Sequence, residues 1–225
     1  METSITLSQS LAHEREYWSS TLDTPTVALI NRTNHSLLES GIVGRALQEG
    51  ETAPDFRLPN ARGGHTQLDD LLRSGPVVLL FYRGQWCPYC NLQLRAYQQA
   101  LPKIRALGAT LLAISPQLPD HSLSTTEKNE LGFDVLSDVG LHVARAYRLA
   151  FDLPSDLADL YKRQWGNDLV QWNGEGGWSL PIPATYIIDR YSAVMLAHVD
   201  PDYRNRLEPE AVLDCLRTLA GRQTA

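Results

Sequence analysis

A chain of 225 residues with 43% apolar content holds one α/β core plus an appendage and is short for two full domains. Its formal charge of −6 and lack of any Lys/Arg run leave no footprint for nucleic acid, and no apolar run approaches a membrane span. Met1-Glu2-Thr3-Ser4-Ile5-Thr6 is not a basic region leading into an apolar one, so a cytoplasmic setting is expected, and three cysteines make no structural disulfide framework.

Leu7, Leu11, Trp18 and Leu22 recur at helical spacing over residues 5–22. A second periodic stretch runs from Val27 toward Gly50, with Asn31, Asn34 and Gly41 as candidate interruptions. Residues 1–48 are therefore expected to form a helical extension, either covering the core or making a homodimer contact, and residues 49–225 the main domain. Two short extended pieces around Gly63-Gly64 predict an edge hairpin, followed by a short helix through Leu68, Leu71 and Leu72. The apolar run Val77–Phe81 predicts a strand buried on both faces, and Pro88 to Leu107 a long helix ended by Gly108, with Pro102 as a candidate kink. A strand over 109–114, a polar helix over about 121–131, a strand over 133–136 and a helix through Val143, Ala146 and Tyr147 follow. Residues 151–180 read as less regular, and Trp165, Trp172 and Trp178 are packing or an aromatic wall, with packing the preferred reading. Strands over 186–189 and 194–199 and a helix opened by Glu208-Pro209-Glu210 complete the chain, and Cys215 is read as a buried packing cysteine.

Cys87-Pro88-Tyr89-Cys90 falls at a strand-to-helix crossing, where α/β sheets place their chemistry. Two cysteines three apart at a helix start lie within one turn, close enough to open and close a disulfide. The helix dipole and free N–H groups there favour a Cys87 thiolate, and proline suits the first helical position. Trp86 is placed to shield the pair and Arg83 to supply positive charge. A structural zinc would need four ligands, and His65, His121, His142 and His198 show no paired spacing; two inert buried thiols are the other alternative. Neither a metal nor an organic cofactor is evident.

The chain resembles the peroxiredoxin-like branch of the alkyl hydroperoxide reductase/thiol-specific antioxidant (AhpC/TSA) family. The matching segments are Gly50-x-x-Ala53-Pro54-Asp55-Phe56, Phe81 to Cys90, Ser137-Asp138 before Val143-Ala144-Arg145-Ala146-Tyr147, and Ala184-Thr185-Tyr186-Ile187-Ile188-Asp189. The resemblance implies an α/β thioredoxin-like fold of the peroxiredoxin type over about residues 49–220, with Cys90 in the peroxidatic register. It also marks departures: Cys87 stands where the family has a hydroxyl residue, Arg83 where it has a proline, and Pro183 where it has an arginine. Cys87-Pro88-Tyr89-Cys90 is similar to the glutaredoxin tetrapeptide, Pro183 falls where thioredoxins place a cis-proline, and Phe81 stands in place of the thioredoxin buried acid.

Two registers thus assign different attackers. In the peroxiredoxin register Cys90 attacks a hydroperoxide and Cys87 closes the disulfide; in the thioredoxin register a more exposed Cys87 attacks a substrate disulfide and Cys90 resolves it. Both pass through a Cys87–Cys90 disulfide, with Arg83, Trp86, Pro183 and Thr185 as the implied positioning residues. The leading expectation is a thiol-dependent peroxidase recycled by an external reductant (thioredoxin, glutaredoxin or a small thiol). The alternatives are a disulfide oxidoreductase and a non-catalytic redox sensor or interaction module.

Overall fold

The computed structural model describes residues 5–223. Thr6 opens helix α1 (Leu7–Thr21) with a reciprocal cap: its hydroxyl accepts from the Gln9 N–H at 3.2 Å, while the Gln9 side chain accepts the Thr6 N–H at 2.9 Å. Asp23 caps α2 (Thr24–Glu39), with Pro25 in its first turn. Of the three candidate interruptions only Gly41 acts, its φ of +71° ending α2 before the short α3 (Ile42–Arg45), whereas Asn31 and Asn34 stay helical. That backbone angle is strained for a residue with a Cβ, while an internal asparagine lowers helix propensity only by tenths of a kcal/mol, about 0.7 at most.

The predicted hairpin is present as β1 (Arg57–Pro59) and β2 (His65–Gln67), a two-stranded sheet of its own, and α4 (Leu68–Leu72) follows directly. Then come β3 (Val77–Phe81), α5 (Pro88–Ala106), β4 (Thr110–Ser115), α6 (Pro119–Lys128), β5 (Asp134–Ser137) and α7 (His142–Ala146). Helix α5 runs on through Pro102. Residues 151–180 are more regular than the sequence predicts. They contain β6 (Ala150–Asp152), α8 (Ser155–Gln164), α9 (Leu169–Asn173) and β7 (Ser179–Pro181), with β6 and β7 paired antiparallel. Helix α8 is polar on most of its surface and buries Leu157, Leu160 and Tyr161, a stripe too narrow to dominate the local composition. The chain closes with β8 (Ala184–Ile188), β9 (Val194–Val199) and α10 (Pro209–Gln223).

Five strands form the central sheet in the order β5-β4-β3-β8-β9, parallel across β3, β4 and β5 and antiparallel across β8 and β9. Strand β3 is central and its residues divide between two cores. Val78 and Leu80 pack with Leu94 and Tyr97 of α5 and Val212 and Leu216 of α10, whereas Val77, Leu79 and Phe81 pack with Leu68 of α4 and Tyr147 after α7. Leu7 and Leu11 bring α1 onto the α5 side, and Ile30 of α2 joins a third cluster around α8. The appendage thus folds back over the end of the sheet where β3 meets α5. Cys215 is half-buried rather than buried; it packs against the α10 core, with its Sγ 3.9 Å from the Met195 carbonyl oxygen.

Candidate functional site

The turn from β3 into α5 is fixed before any side-chain chemistry is considered. Gly84 has a φ of +154°, and a Cβ built on it would lie 2.4 Å from Trp86 Nε1 and 2.7 Å from Gln117 Oε1, closer than atoms pack. Its hydrogen atom lets Trp86 lie back over the turn while the Gln85 N–H donates to Gln117 Oε1. Asn91 Nδ2 donates to the Gln85 carbonyl at 2.7 Å, and Asn129 Nδ2 to Asn91 Oδ1 at 3.1 Å. Cys87 is the N-cap of α5, Pro88 its first residue, and Cys90 lies in the first turn; both cysteines are free thiols.

The local argument for a Cys87 thiolate is reversed by the surroundings. Burial pushes the Cys87 thiol well above its ordinary value, and its hydrogen bond to Cys90 and the charge there add to the rise. Burial acts on Cys90 in the same direction, but the hydrogen bond from Cys87, the Arg206 and Arg83 charges and the Arg83 backbone N–H outweigh it and bring Cys90 down to about 5. Arg206 Nη2 is 3.5 Å from Cys90 Sγ. The more exposed cysteine of the thioredoxin register is also absent: Cys87 is 1% exposed and Cys90 0%. The helix dipole acts on both positions, whereas the second guanidinium reaches only one sulfur by a contact from 116 residues away.

Arg83 is 2% exposed, and its guanidinium carbon lies 4.0 Å from the Tyr203 ring centre, 5.0 Å from that of Trp86 and 5.6 Å from that of Tyr161. It donates to the Tyr161 hydroxyl, and its Nε has no hydrogen-bond partner. Burial acts to lower the Arg83 pKa, but the facing tyrosines and thiols more than offset it and the group is held firmly charged. Among the described residues neither Arg83 nor Arg206 forms an ion pair with a carboxylate. Both charges act on Cys90, Arg206 at contact distance.

A cavity of about 290 Å³ opens onto Cys87 between α1, α2, α8 and the cysteine turn. Cys87, Arg83 and Trp86 line it; Cys90 lies behind Cys87 and does not. Trp165 is part of the wall, 4.8 Å from the Tyr161 ring centre and 6.2 Å from that of Trp18, so one of the three tryptophans both packs around α8 and lines the cavity. Trp172 lies against His121, with ring centres 4.3 Å apart and planes tilted by 44°, and Trp178 packs around α8. Pro183 lies on the far side of Arg83, against a separate small cleft shared with Tyr203, and its peptide bond is trans, as is every described peptide bond. Thr185 stands apart from the cavity, buried on β8, where its hydroxyl accepts from Gln93 Nε2 at 3.3 Å.

Sequence reasoning missed Arg206, Tyr161 and Tyr203. The segment after β9 that carries Tyr203 and Arg206 is tied to the appendage: Arg15 Nη2 donates to Asn205 at 2.7 Å, Asn34 to Asp202 at 3.1 Å, and Arg204 to Asn31 at 3.2 Å. Helices α1 and α2 thereby help position the guanidinium beside Cys90.

The model of the AhpC/TSA family matches residues 50–196. Peroxiredoxin Q of Sedum lineare, a chloroplastic protein, is 28% identical over 166 residues, covering 74% of each chain. The Triticum aestivum peroxiredoxin Q is also 28% identical, over 76% of this chain and 65% of its own length. Among solved structures, peroxidoxin BcpB from Mycobacterium tuberculosis superposes with a TM-score of 0.60 at 22% identity, covering 76% of this chain and 97% of that one. A Plasmodium vivax 2-Cys peroxiredoxin in its reduced form gives a TM-score of 0.62 at 17% identity over 79% and 84% of the two chains. With the family model spanning most of the chain and the sheet and helices laid out as in those structures, the chain belongs to the AhpC/TSA family and has a peroxiredoxin-like thioredoxin fold.

Proposed function

We propose that the chain is a thiol-dependent peroxidase in which Cys90 attacks the peroxide and Cys87 closes the disulfide. The observation that carries this reading is the buried Cys90 sulfur with Arg206 Nη2 at 3.5 Å, where that guanidinium, the Arg83 charge and the hydrogen bond from Cys87 favour the thiolate. Attack of Cys90 Sγ on the terminal hydroperoxide oxygen breaks the O–O bond and leaves a sulfenic acid, and the expelled alkoxide or hydroxide takes a proton from solvent to depart as alcohol or water. The guanidiniums are fixed before the reaction, so negative charge on the departing oxygen meets cations that need not reorganise. Cys87, relieved of the neighbouring thiolate, then loses its proton and attacks the Cys90 sulfur, expelling hydroxide that takes up a proton as water.

An external thiol returns the pair to the dithiol, which calls for a reducing compartment such as the cytoplasm. We also read residues 1–48 as an appendage to the catalytic domain, since α1 and α2 wall the cavity. Disulfide exchange is the second reading, favoured by the opening of the cavity on Cys87. Against it, Cys87 is held as a thiol, the weaker nucleophile of the pair.

Stopped-flow tryptophan fluorescence of the reduced protein with hydrogen peroxide and an organic hydroperoxide tests the proposal, because Trp86 adjoins the pair. A fast change that survives in Cys87→Ser and is lost in Cys90→Ser is expected. Reaction no faster than that of free cysteine would overturn it, and a rapid change with a small disulfide that requires Cys87 would establish the exchange reading.

A further inference from the structure

The cavity that reaches Cys87 has a composition the peroxide step does not use. Its charged lining residues are Arg15, Arg83 and Arg204, with no Asp or Glu among them, in a chain whose net charge is −6. Asp202 pairs with Arg204 at 2.7 Å and more loosely with Arg15 at 4.0 Å, but Arg83 is buried, lacks a carboxylate partner and leaves its Nε unpaired. The remaining surface is mostly apolar and aromatic, including Trp18, Ile30 and Trp165, with Ser19 and Asn167 as its uncharged polar members. At about 290 Å³ the space lies near the lower end of small-ligand sites. It is walled by α1, α2 and α8 over a cysteine that is 1% exposed, so the sulfur is sheltered from a dithiol mounted on another protein's surface.

We infer that this cavity receives the reductant, and that the reductant is a low-molecular-weight thiol carrying a carboxylate rather than a protein dithiol. The inference rests on the Cys87–Cys90 disulfide of the reading above. The thiolate of the incoming molecule attacks Cys87 Sγ, the sulfur facing the cavity. The Cys87–Cys90 bond breaks, and its electron pair leaves on Cys90, where Arg206 and Arg83 receive the charge. A good leaving group on the inner sulfur and access to the outer one direct attack to Cys87. A second equivalent of thiolate then attacks the external sulfur of the mixed disulfide. This releases the small disulfide, and Cys87 leaves as a thiolate that takes up a proton. Two thiols are oxidised for each protein disulfide reduced.

The test uses full-length protein oxidised with diamide, which forms the disulfide without peroxide, so failure of the peroxidase reading leaves this experiment intact. Reduction is followed with 3-mercaptopropionate, with cationic cysteamine and with thioredoxin, each rate expressed per thiolate and normalised to reaction with an uncharged linear disulfide. The expected result is a preference of about tenfold or more for 3-mercaptopropionate over cysteamine, and in Arg15→Glu, where loss of the Asn205 hydrogen bond acts on both thiols alike, the ratio of the two rates rather than either rate should fall several-fold. The Cys90→Ser protein treated with the disulfide of 3-mercaptopropionate should carry one adduct, on Cys87. Equal normalised rates for the two small thiols, faster reduction by thioredoxin than by 3-mercaptopropionate, or no adduct on Cys87 would each overturn the inference.

Discussion

Replacing Arg206 with methionine removes one cation from Cys90 while keeping an unbranched apolar stem in its place. Two unit charges 3.5 Å apart interact by about 4.7 kcal/mol at an effective dielectric constant of ~20, or about 3.5 pKa units, which is a ceiling. Arg83 remains, and water entering the vacated volume recovers part of the loss, so a rise of about one to two units is expected. Cys90 starts at about 5. Half a unit above the native protein's own midpoint, the thiolate fraction would then fall from about three-quarters to about a tenth for a rise of about 1.5 units, and the peroxide rate should fall with it by about eightfold. Near pH 8.5 both proteins hold Cys90 ionised and the ratio should shrink toward the residual loss of oxyanion stabilisation. Ultraviolet thiolate absorbance gives the midpoint, and mass-located alkylation assigns it to a sulfur. An unchanged midpoint in Arg206→Met, or a low midpoint that maps to Cys87, would refute the electrostatic account.

Three further outcomes follow from the same geometry. Because the reduced pair is stabilised by a thiolate between two guanidiniums, its disulfide should be oxidising, with a potential above about −200 mV on equilibration with a glutathione buffer; a value below about −270 mV would contradict the charge assignment. Tyr161→Phe deletes the acceptor of the Arg83 hydrogen bond inside the cage, and denaturant unfolding should show a loss of about 1.5–3 kcal/mol, whereas an unchanged midpoint would mean that the cation finds another acceptor. Gly84→Ala drives a methyl group into Trp86 and Gln117, so the variant should lose about 1–3 kcal/mol and its tryptophan emission should shift as Trp86 is displaced; native emission and stability would show that the turn has slack.

The sequence discloses those parts of this site that depend on neighbours along the chain. An apolar run, a CxxC pair and a proline at the first helical position suffice to place Cys87 and Cys90 at the end of β3, because strand burial and helix entry are local matters. The choice between the two sulfurs is not local. Of the electrostatic terms visible in sequence, Arg83 does not distinguish the two sulfurs and the helix dipole points to Cys87, but a dipole worth at most about 2 kcal/mol competes with a full charge at contact distance on a buried sulfur. That charge arrives from the segment between β9 and α10, held in place by Arg15, Asn31 and Asn34 of the two N-terminal helices. No periodicity marks Arg206, and Tyr161 lies on a helix whose narrow apolar stripe is hidden in a polar stretch. Trp165 shows the same division: its size suggests burial, while its place on the cavity wall depends on Trp18 arriving from α1. The departures from the family pattern also gain a physical sense together. With an arginine at 83 and a cysteine at 87, the cation and the hydrogen-bond donor for the Cys90 thiolate come from the turn itself, and Arg206 adds the second cation from outside it. The electrostatics of the site thus reach α1 and α2, whose Arg15 and Asn34 hydrogen-bond to the segment that carries Arg206.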